Sequence, residues 1–346
     1  MPGPRLFLTT TMMSPDDLFK QPIRHPQLSF DDGNIAILTG DYYFLVHKGL
    51  LCHHSKPFMD FAQALEQKNA VILDGRPVIE LDDSPNDMAH FLRSLYDGMY
   101  NANDFAVVSS ILLLATKYQA LMLRSAILEQ LAIGWPNSLK AWEERERLAT
   151  DNHGVYSPRP AFPHPILIIN LAKAIDAPEL LPSAFYDLSR YQPSELVAGY
   201  TCPSSIHHTL QHPEIFATLR GRECAARFFS TFIVTHLEGR EPSPQCTYAG
   251  QPAHEAARKG CKTVFESITF EILRDVNGMV CNRNSDPLYA MAAAPDVFVH
   301  LGTTKRTIPR TCEECRQEFM RVVNASRHEF WRNLPEWFDV EVENWG

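Results

Sequence analysis

Nowhere does the sequence run to the ~20 consecutive apolar residues that a membrane-spanning helix requires; charged residues and prolines interrupt every apolar stretch first. A basic stripe is missing too. Residues 31–135 hold 13 acidic residues against 7 Lys and Arg, residues 136–346 hold 26 against 22, and the net charge is −9. A phosphate backbone finds little to bind here, so direct nucleic-acid contact is not expected. The sequence has no Gly-x-Ser-x-Gly, no His-Glu-x-x-His and no Gly-x-Gly-x-x-Gly. Gly260-Cys-Lys-Thr263 lacks the upstream glycine of a phosphate loop and lies in a helical pattern. There is no Cys₂His₂ spacing and no internal repeat. The acidic residues are scattered and offer no acid–base pair. These absences predict a non-catalytic chain with neither membrane nor nucleic acid as its direct partner.

What remains is a globular composition. The 346 residues are 45% hydrophobic and 21% charged, enough chain for two or three domains. The first twenty residues carry one arginine and a Thr-broken apolar patch, a poor secretion signal, and the end carries no prenylation box. An intracellular protein, cytoplasmic or nuclear, is expected. Its eight cysteines then read as thiols or metal ligands instead of disulfides. The lone sequon at Asn324 lies in a helical pattern and reads as chance.

Periodicity gives the order of elements. Residues 34–46 alternate apolar side chains around Gly40-Asp41, a hairpin signature. Residues 77–81 form a third short strand. Residues 84–98 predict a helix with Ser84 at its N-cap, Pro85 and Asp87 in its first turn, and Gly98 at its end. Met88, Phe91, Leu92, Leu95 and Tyr96 make its apolar face. Asp104 caps a nearly all-apolar helix over 105–119, and another follows to Gly134-Trp-Pro136. Residues 136–164, charged and then rich in proline, read as a linker or long loop. From 165 onward the pattern is helical. The aromatics at Phe330, Trp331, Trp337 and Phe338, with Leu334, are dense enough that docking on the preceding helices is expected, with a partner-binding tail as the alternative.

The stretch "FLVHKGLLCHHSKPF" at 44–58 resembles the BTB/POZ pattern Phe-x-x-His-Lys-x-x-Leu-x-x-x-Ser-x-x-Phe. "FLRSLYDG" at 91–98 resembles that family's Leu-x-x-Leu-Tyr-x-Gly helix end, and "ILLLATKYQALMLRSAILEQL" its following helix pair. "LLPSAFYDLSRY" and "CEECRQEFMRVVNASRHEFWRNLPEWFDV" are similar to the C-terminal region of a large group of basidiomycete BTB proteins. The resemblance implies an α+β fold: an N-terminal extension at 1–30, partly disordered, then a BTB/POZ domain at 31–135 with a small sheet flanked by helices. The 136–164 linker follows, then an all-α domain at 165–346. It implies protein–protein association through a homodimer, with Asp32 and Lys48 in a charged groove and Leu50 and Leu51 as apolar contacts. It also raises two partner classes. One is transcriptional regulation. The other is recruitment of a cullin-type ubiquitin ligase, whose binding element is weakly matched by Ala64-x-Glu66. His47 then reads as packing. The adjacent pairs His53-His54 and His207-His208 point apart and do not chelate, and Cys52 reads as a small core residue.

A different chemistry is offered by Cys312-x-x-Cys315 at a helix start. Cys246, in a proline-rich loop, and Cys261 supply two more thiols, with His254 between them as a substitute. Four such ligands would make a structural zinc site. A thiol redox role for Cys312 and Cys315 is the weaker alternative, because the pair opens a helix outside any βαβ unit. Cys202, Cys224 and Cys281 have no partner at short spacing, and Cys224 reads as core.

Overall fold

The computed structural model describes residues 21–66, 71–98, 104–152, 155–250, 252–274, 286–293 and 311–346. The fold is mixed α+β and divides after Leu128 into two compact units. Among the described residues no helix is long and apolar enough to cross a membrane.

In the first unit a five-stranded sheet has the order β1 (Ile23–Arg24), β3 (Tyr42–Val46), β2 (Ile35–Thr39), β5 (Arg76–Leu81), β4 (Ile72–Leu73). Strands β2 (Ile35–Thr39) and β3 (Tyr42–Val46) form the expected antiparallel hairpin. Its turn is possible because Gly40 takes φ +50°, a left-handed conformation that a side chain would resist. β5 (Arg76–Leu81) lies parallel to β2, and such a pair needs a crossover connection. Helices α1 (Lys48–His54) and α2 (Lys56–Glu66) supply it, and β4 (Ile72–Leu73) pairs with the far edge of β5. β1 (Ile23–Arg24) pairs parallel with β3, and Leu28 enters the core. The expected N-terminal extension is thus part of the sheet from residue 23; residues 1–20 lie outside the described residues.

Alternation along the strands sorts side chains between two cores. Ile35, Ile37, Phe44, Val46 and Ile79 face the helices, while Ala36, Tyr43, Leu45 and Val78 pack on the other face. Helix α3 (Pro85–Asp97) buries Met88, Phe91, Leu92 and Leu95, as its spacing predicts. Gly98 caps its end at φ +60°, whereas Ser84 sits at the N-cap without a side-chain bond. Asp104 does cap α4 (Phe105–Lys117), accepting from the N–H groups of Ala106 and Val107. The division between units falls inside α5 (Leu121–Gly134), short of the expected boundary at 135.

Among the described residues the second unit is helical apart from turns, loops and a short ribbon of β6 (Tyr200–Thr201) and β7 (His207–His208) that the all-α expectation omitted. The described α-helices are α6 (Leu139–Leu148), α7 (Pro165–Ile175), α8 (Leu181–Ser189), α9 (Pro193–Ala198), α10 (His212–His236), α11 (Glu255–Arg274), α12 (Pro287–Ala293) and α13 (Glu313–Trp337). Helix α6 corrects the linker expectation for 136–164. Of its six charged side chains Lys140, Glu143, Glu144 and Arg147 are exposed, but Arg145 and Glu146 are buried, at 1% and 9% exposure.

These charges belong to a network that neutralises itself. Asp187 Oδ2 accepts from Arg145 at 2.7 Å and Arg159 at 2.6 Å, and Asp187 Oδ1 from Arg190 at 2.6 Å. Arg190 also reaches Asp286 at 2.7 Å and Glu146 at 2.9 Å, and Arg145 pairs with Glu146. Tyr156 and Tyr186 donate their hydroxyls to Glu146 and Asp286. Burial alone would raise the Asp187 carboxyl; the three guanidinium groups hold it well below the usual range instead.

The C-terminal aromatics dock as expected. Phe330, Trp331, Leu334 and Phe338 are buried, with Trp331 5.6 Å from Trp142 and Phe338 stacked on Phe185. Phe338 fits because α10 has no side chain at Gly221; a Cβ there would overlap the ring. Gly221→Ala is therefore expected to destabilise by about 1–3 kcal/mol despite its better helix propensity, read from denaturant melts.

His164, the N-cap of α7, stacks on Tyr200 at 4.2 Å, and its Nδ1 accepts from the Ile166 N–H. Burial, helped by Arg159 and partly opposed by Asp187, pushes its pKa down to about 4. The unfolded side chain titrates near 6.5. Above that pH both states are neutral; below it the unfolded state takes up the proton first. Stability contributed by neutral His164 is lost between pH 6.5 and 4, by about 3 kcal/mol in full. His164→Asn, which keeps a capping oxygen, is expected to flatten the stability–pH slope over that window.

Candidate metal centre

Three stretches remote in sequence bring their sulfurs together. The loop after α10 turns twice at Cys246, whose N–H donates to Ser243 O and whose carbonyl accepts from Ala249 N. Helix α11 presents Cys261 on the same face as Val264, Phe265 and Ile268, all buried. Cys312 is the N-cap of α13 and Cys315 lies in its first turn, at the head of a buried stripe through Phe319, Val323 and Ser326. The Sγ atoms of Cys246, Cys261, Cys312 and Cys315 all lie within 4.8 Å of one another, and all four residues are buried. Cys312 Sγ and Cys246 Sγ are 3.6 Å apart. No disulfide joins any described cysteine.

The donor set suits a metal ion. Four sulfurs around a tetrahedral cation with ~2.3 Å bonds stand about 3.8 Å apart. Two backbone amides already point at sulfur: Ser243 N–H donates to Cys315 Sγ and Cys312 N–H to Cys261 Sγ, each at 3.3 Å. Such bonds favour the charged thiolate over the thiol. Without a cation the cluster resists charge. Burial pushes the Cys261 thiol up to about 11, and the sulfurs of Cys312 and Cys246 add to the rise. Burial likewise raises Cys315. Cys312 moves down to about 6: burial opposes its charge, but N–H groups of Cys315 and Thr247 outweigh that. One thiolate thus forms readily and further ones call for a positive ion between them. A buried cluster of four cysteines able to hold a metal ion is what the chain builds here.

No protein-family model matches the sequence, and no curated protein is significantly similar to it.

The other sequence-predicted residues scatter. His254 is exposed and lies against Tyr248, away from the sulfurs. Cys202 and Cys224 stand apart from the cluster, and Cys281 lies outside the described residues. In the first unit Asp32 and Lys48 do not pair with each other: Asp32 meets His47 Nε2 at 3.2 Å and Lys48 meets Glu66 at 2.8 Å. Leu51 is 1% exposed and Leu50 is half-buried against the same core, so Leu51 corrects the expectation of an apolar surface contact. Neighbouring residues on a helix point about 100° apart, so with Leu51 turned into the core Leu50 stands at its edge.

Sequence reasoning found the four ligands but missed what surrounds them. Ser243 was invisible because it contributes a backbone amide. Arg240 was missed because it reads as a surface charge, although its side chain is only 13% exposed.

Purified under reducing conditions, the full chain should carry close to one metal ion per molecule by elemental analysis. Cys312→Ser with Cys315→Ser should lose it and lower the melting temperature by about 10 °C or more. A metal-free wild type would end this reading.

Proposed function

We propose that the chain is a non-catalytic protein-association protein. Its first unit acts as a BTB/POZ-type module that self-associates or recruits a protein partner. Its second unit is a helical domain fastened by a structural zinc ion at Cys246, Cys261, Cys312 and Cys315. One observation carries the first part: the residues on which the BTB/POZ resemblance rests meet in one place and serve the same core. The His47 N–H donates to the Tyr96 hydroxyl, which also bonds His47 Nδ1 at 2.8 Å, while Nε2 lies 3.2 Å from Asp32 Oδ1. Ser55 Oγ donates to the Tyr118 carbonyl at 2.6 Å and accepts from the Phe58 N–H. Phe58 lies 4.7 Å from the Tyr118 ring. These side chains hold the turn from β3 into α1 and α2 against α3 and α4. A histidine-rich stretch so engaged favours association over catalysis.

Self-association is put ahead of recruitment of a cullin-type ligase, whose Ala64-x-Glu66 element is the weaker match; the Lys48–Glu66 pair engages one residue of each reading and favours neither. A role in transcriptional regulation would likewise rest on a recruited partner.

For the metal, four thiolates in a compact, buried set select zinc, which accepts tetrahedral sulfur without any ligand-field penalty. Its role is to join the loop after α10, α11 and α13, three segments that share little else in sequence. A redox pair at Cys312 and Cys315 is the second reading; two further sulfurs within 4.8 Å favour the metal over it.

Self-association is tested by size-exclusion chromatography with light scattering at tens of micromolar. A mass twice the 39.3 kDa of the chain is expected. A monomeric mass would overturn the homodimer.

A further inference from the structure

A zinc ion with four thiolates carries a net charge of −2, and these sulfurs are buried. Taking such a dianion out of water is costly unless a fixed positive charge faces it. The described residues around the cluster offer one cation in a distinctive position. Arg240 begins the loop that, three residues later, gives the Ser243 amide to Cys315 and, six residues later, gives Cys246 itself. Its guanidinium rests against two neighbouring rings, 5.1 Å from the centre of Phe265 and 5.3 Å from that of Phe319. The rings are 5.5 Å apart. Phe265 follows Cys261 by four residues on α11, and Phe319 follows Cys315 by four residues on α13. Residues four apart lie on one helical face about 5–6 Å from each other. Both rings therefore lie about one helical turn along from a cysteine of the cluster, and the guanidinium that rests against both is carried to the same side of the second unit's core.

The hydrogen bonds of Arg240 leave capacity for that role. One terminal nitrogen donates to the His236 carbonyl and the other to Glu318, each at 3.1 Å. Its Nε–H is buried and has no hydrogen-bond partner among the described residues. The guanidinium and the Cys315 sulfur are within electrostatic reach of each other. Glu318, three residues after Cys315, brings a negative charge to the same side of α13. Without Arg240 the site would face that carboxylate as well as its own four thiolates.

We infer that Arg240 is the fixed countercharge of the tetrathiolate centre, a positioning residue that sets how tightly the four cysteines hold zinc. The inference rests on the zinc reading above and adds a residue that is not a ligand. The two rings exclude water from around the guanidinium, so its field is screened less than that of a surface arginine. They also fix the plane of the guanidinium through cation–π contact.

The experiment is zinc competition against a chromophoric chelator on the full-length chain. Cobalt substitution reports, through its thiolate charge-transfer band, whether all four sulfurs still bind. If the wild type holds no zinc, the zinc reading fails and with it the basis for Arg240. If it does, Arg240→Met, which keeps the stem and much of the ring packing, is expected to weaken zinc affinity about 10- to 100-fold with the tetrathiolate band retained. Arg240→Lys should recover most of that loss. The double variant Arg240→Met with Glu318→Gln removes the stranded carboxylate and should still bind zinc more weakly than wild type. Glu318→Gln alone, a partly exposed change, should tighten binding. Unchanged affinity in Arg240→Met, with only its melting temperature lowered in both metal-free and zinc-loaded forms, would overturn the inference. So would a double variant with wild-type affinity, since Arg240 would then merely neutralise Glu318.

Discussion

Asp187 is the point on which the second unit turns. A carboxylate 1% exposed is tolerable only because Arg145, Arg159 and Arg190 converge on its two oxygens. Those cations in turn need Glu146 and Asp286, and the tyrosine hydroxyls fill hydrogen-bonding positions left over. Removing any one member would leave an uncompensated buried charge, at a cost of about 3–5 kcal/mol. Removing all of them together for apolar side chains need not be costly. The network is therefore better understood as a device of uniqueness than of net stability: α6, the 156–159 stretch, α8 and the start of α12 can satisfy it in one mutual arrangement.

The cysteine cluster obeys the same constraint with the sign reversed. Four thiols within 4.8 Å cannot all ionise in a buried space, so the cluster stays mostly protonated until a cation arrives. The amides of Ser243 and Cys312 are already aimed at sulfur. Preorganisation of this kind spares the metal the work of arranging its ligands. The proposed countercharge, Arg240 resting against Phe265 and Phe319, extends the logic one layer outward.

The first unit is held differently, by packing and by a few neutral hydrogen bonds. His47, Ser55, Tyr96 and Tyr118 each satisfy a backbone group or one another at the seams between sheet and helices. Polar residues so placed look like a site in sequence because they interrupt an apolar pattern at fixed spacing. Their work is to satisfy donors and acceptors where the chain changes direction.

Local pattern determined the hairpin at Gly40, the apolar face of α3, the cap at Asp104 and the helices α7, α10, α11 and α13, because each depends on residues within a few positions of one another. It also singled out Cys246, Cys261, Cys312 and Cys315, since cysteine is scarce and a Cys-x-x-Cys at a helix start is distinctive. Only the tertiary structure decided that the four sulfurs meet, because 66 residues separate Cys246 from Cys312 and no local rule spans them. It alone turned Leu51 inward, paired Asp32 with His47 instead of Lys48, and drew the strand at Ile23 into the sheet. The largest departure was at α6. A charged, then proline-rich stretch reads as a linker, and the burial of Arg145 and Glu146 becomes legible only once Asp187, Arg190 and Asp286 are seen to neutralise them. Sequence periodicity records which residues avoid water on their own account, not which charges avoid it in company.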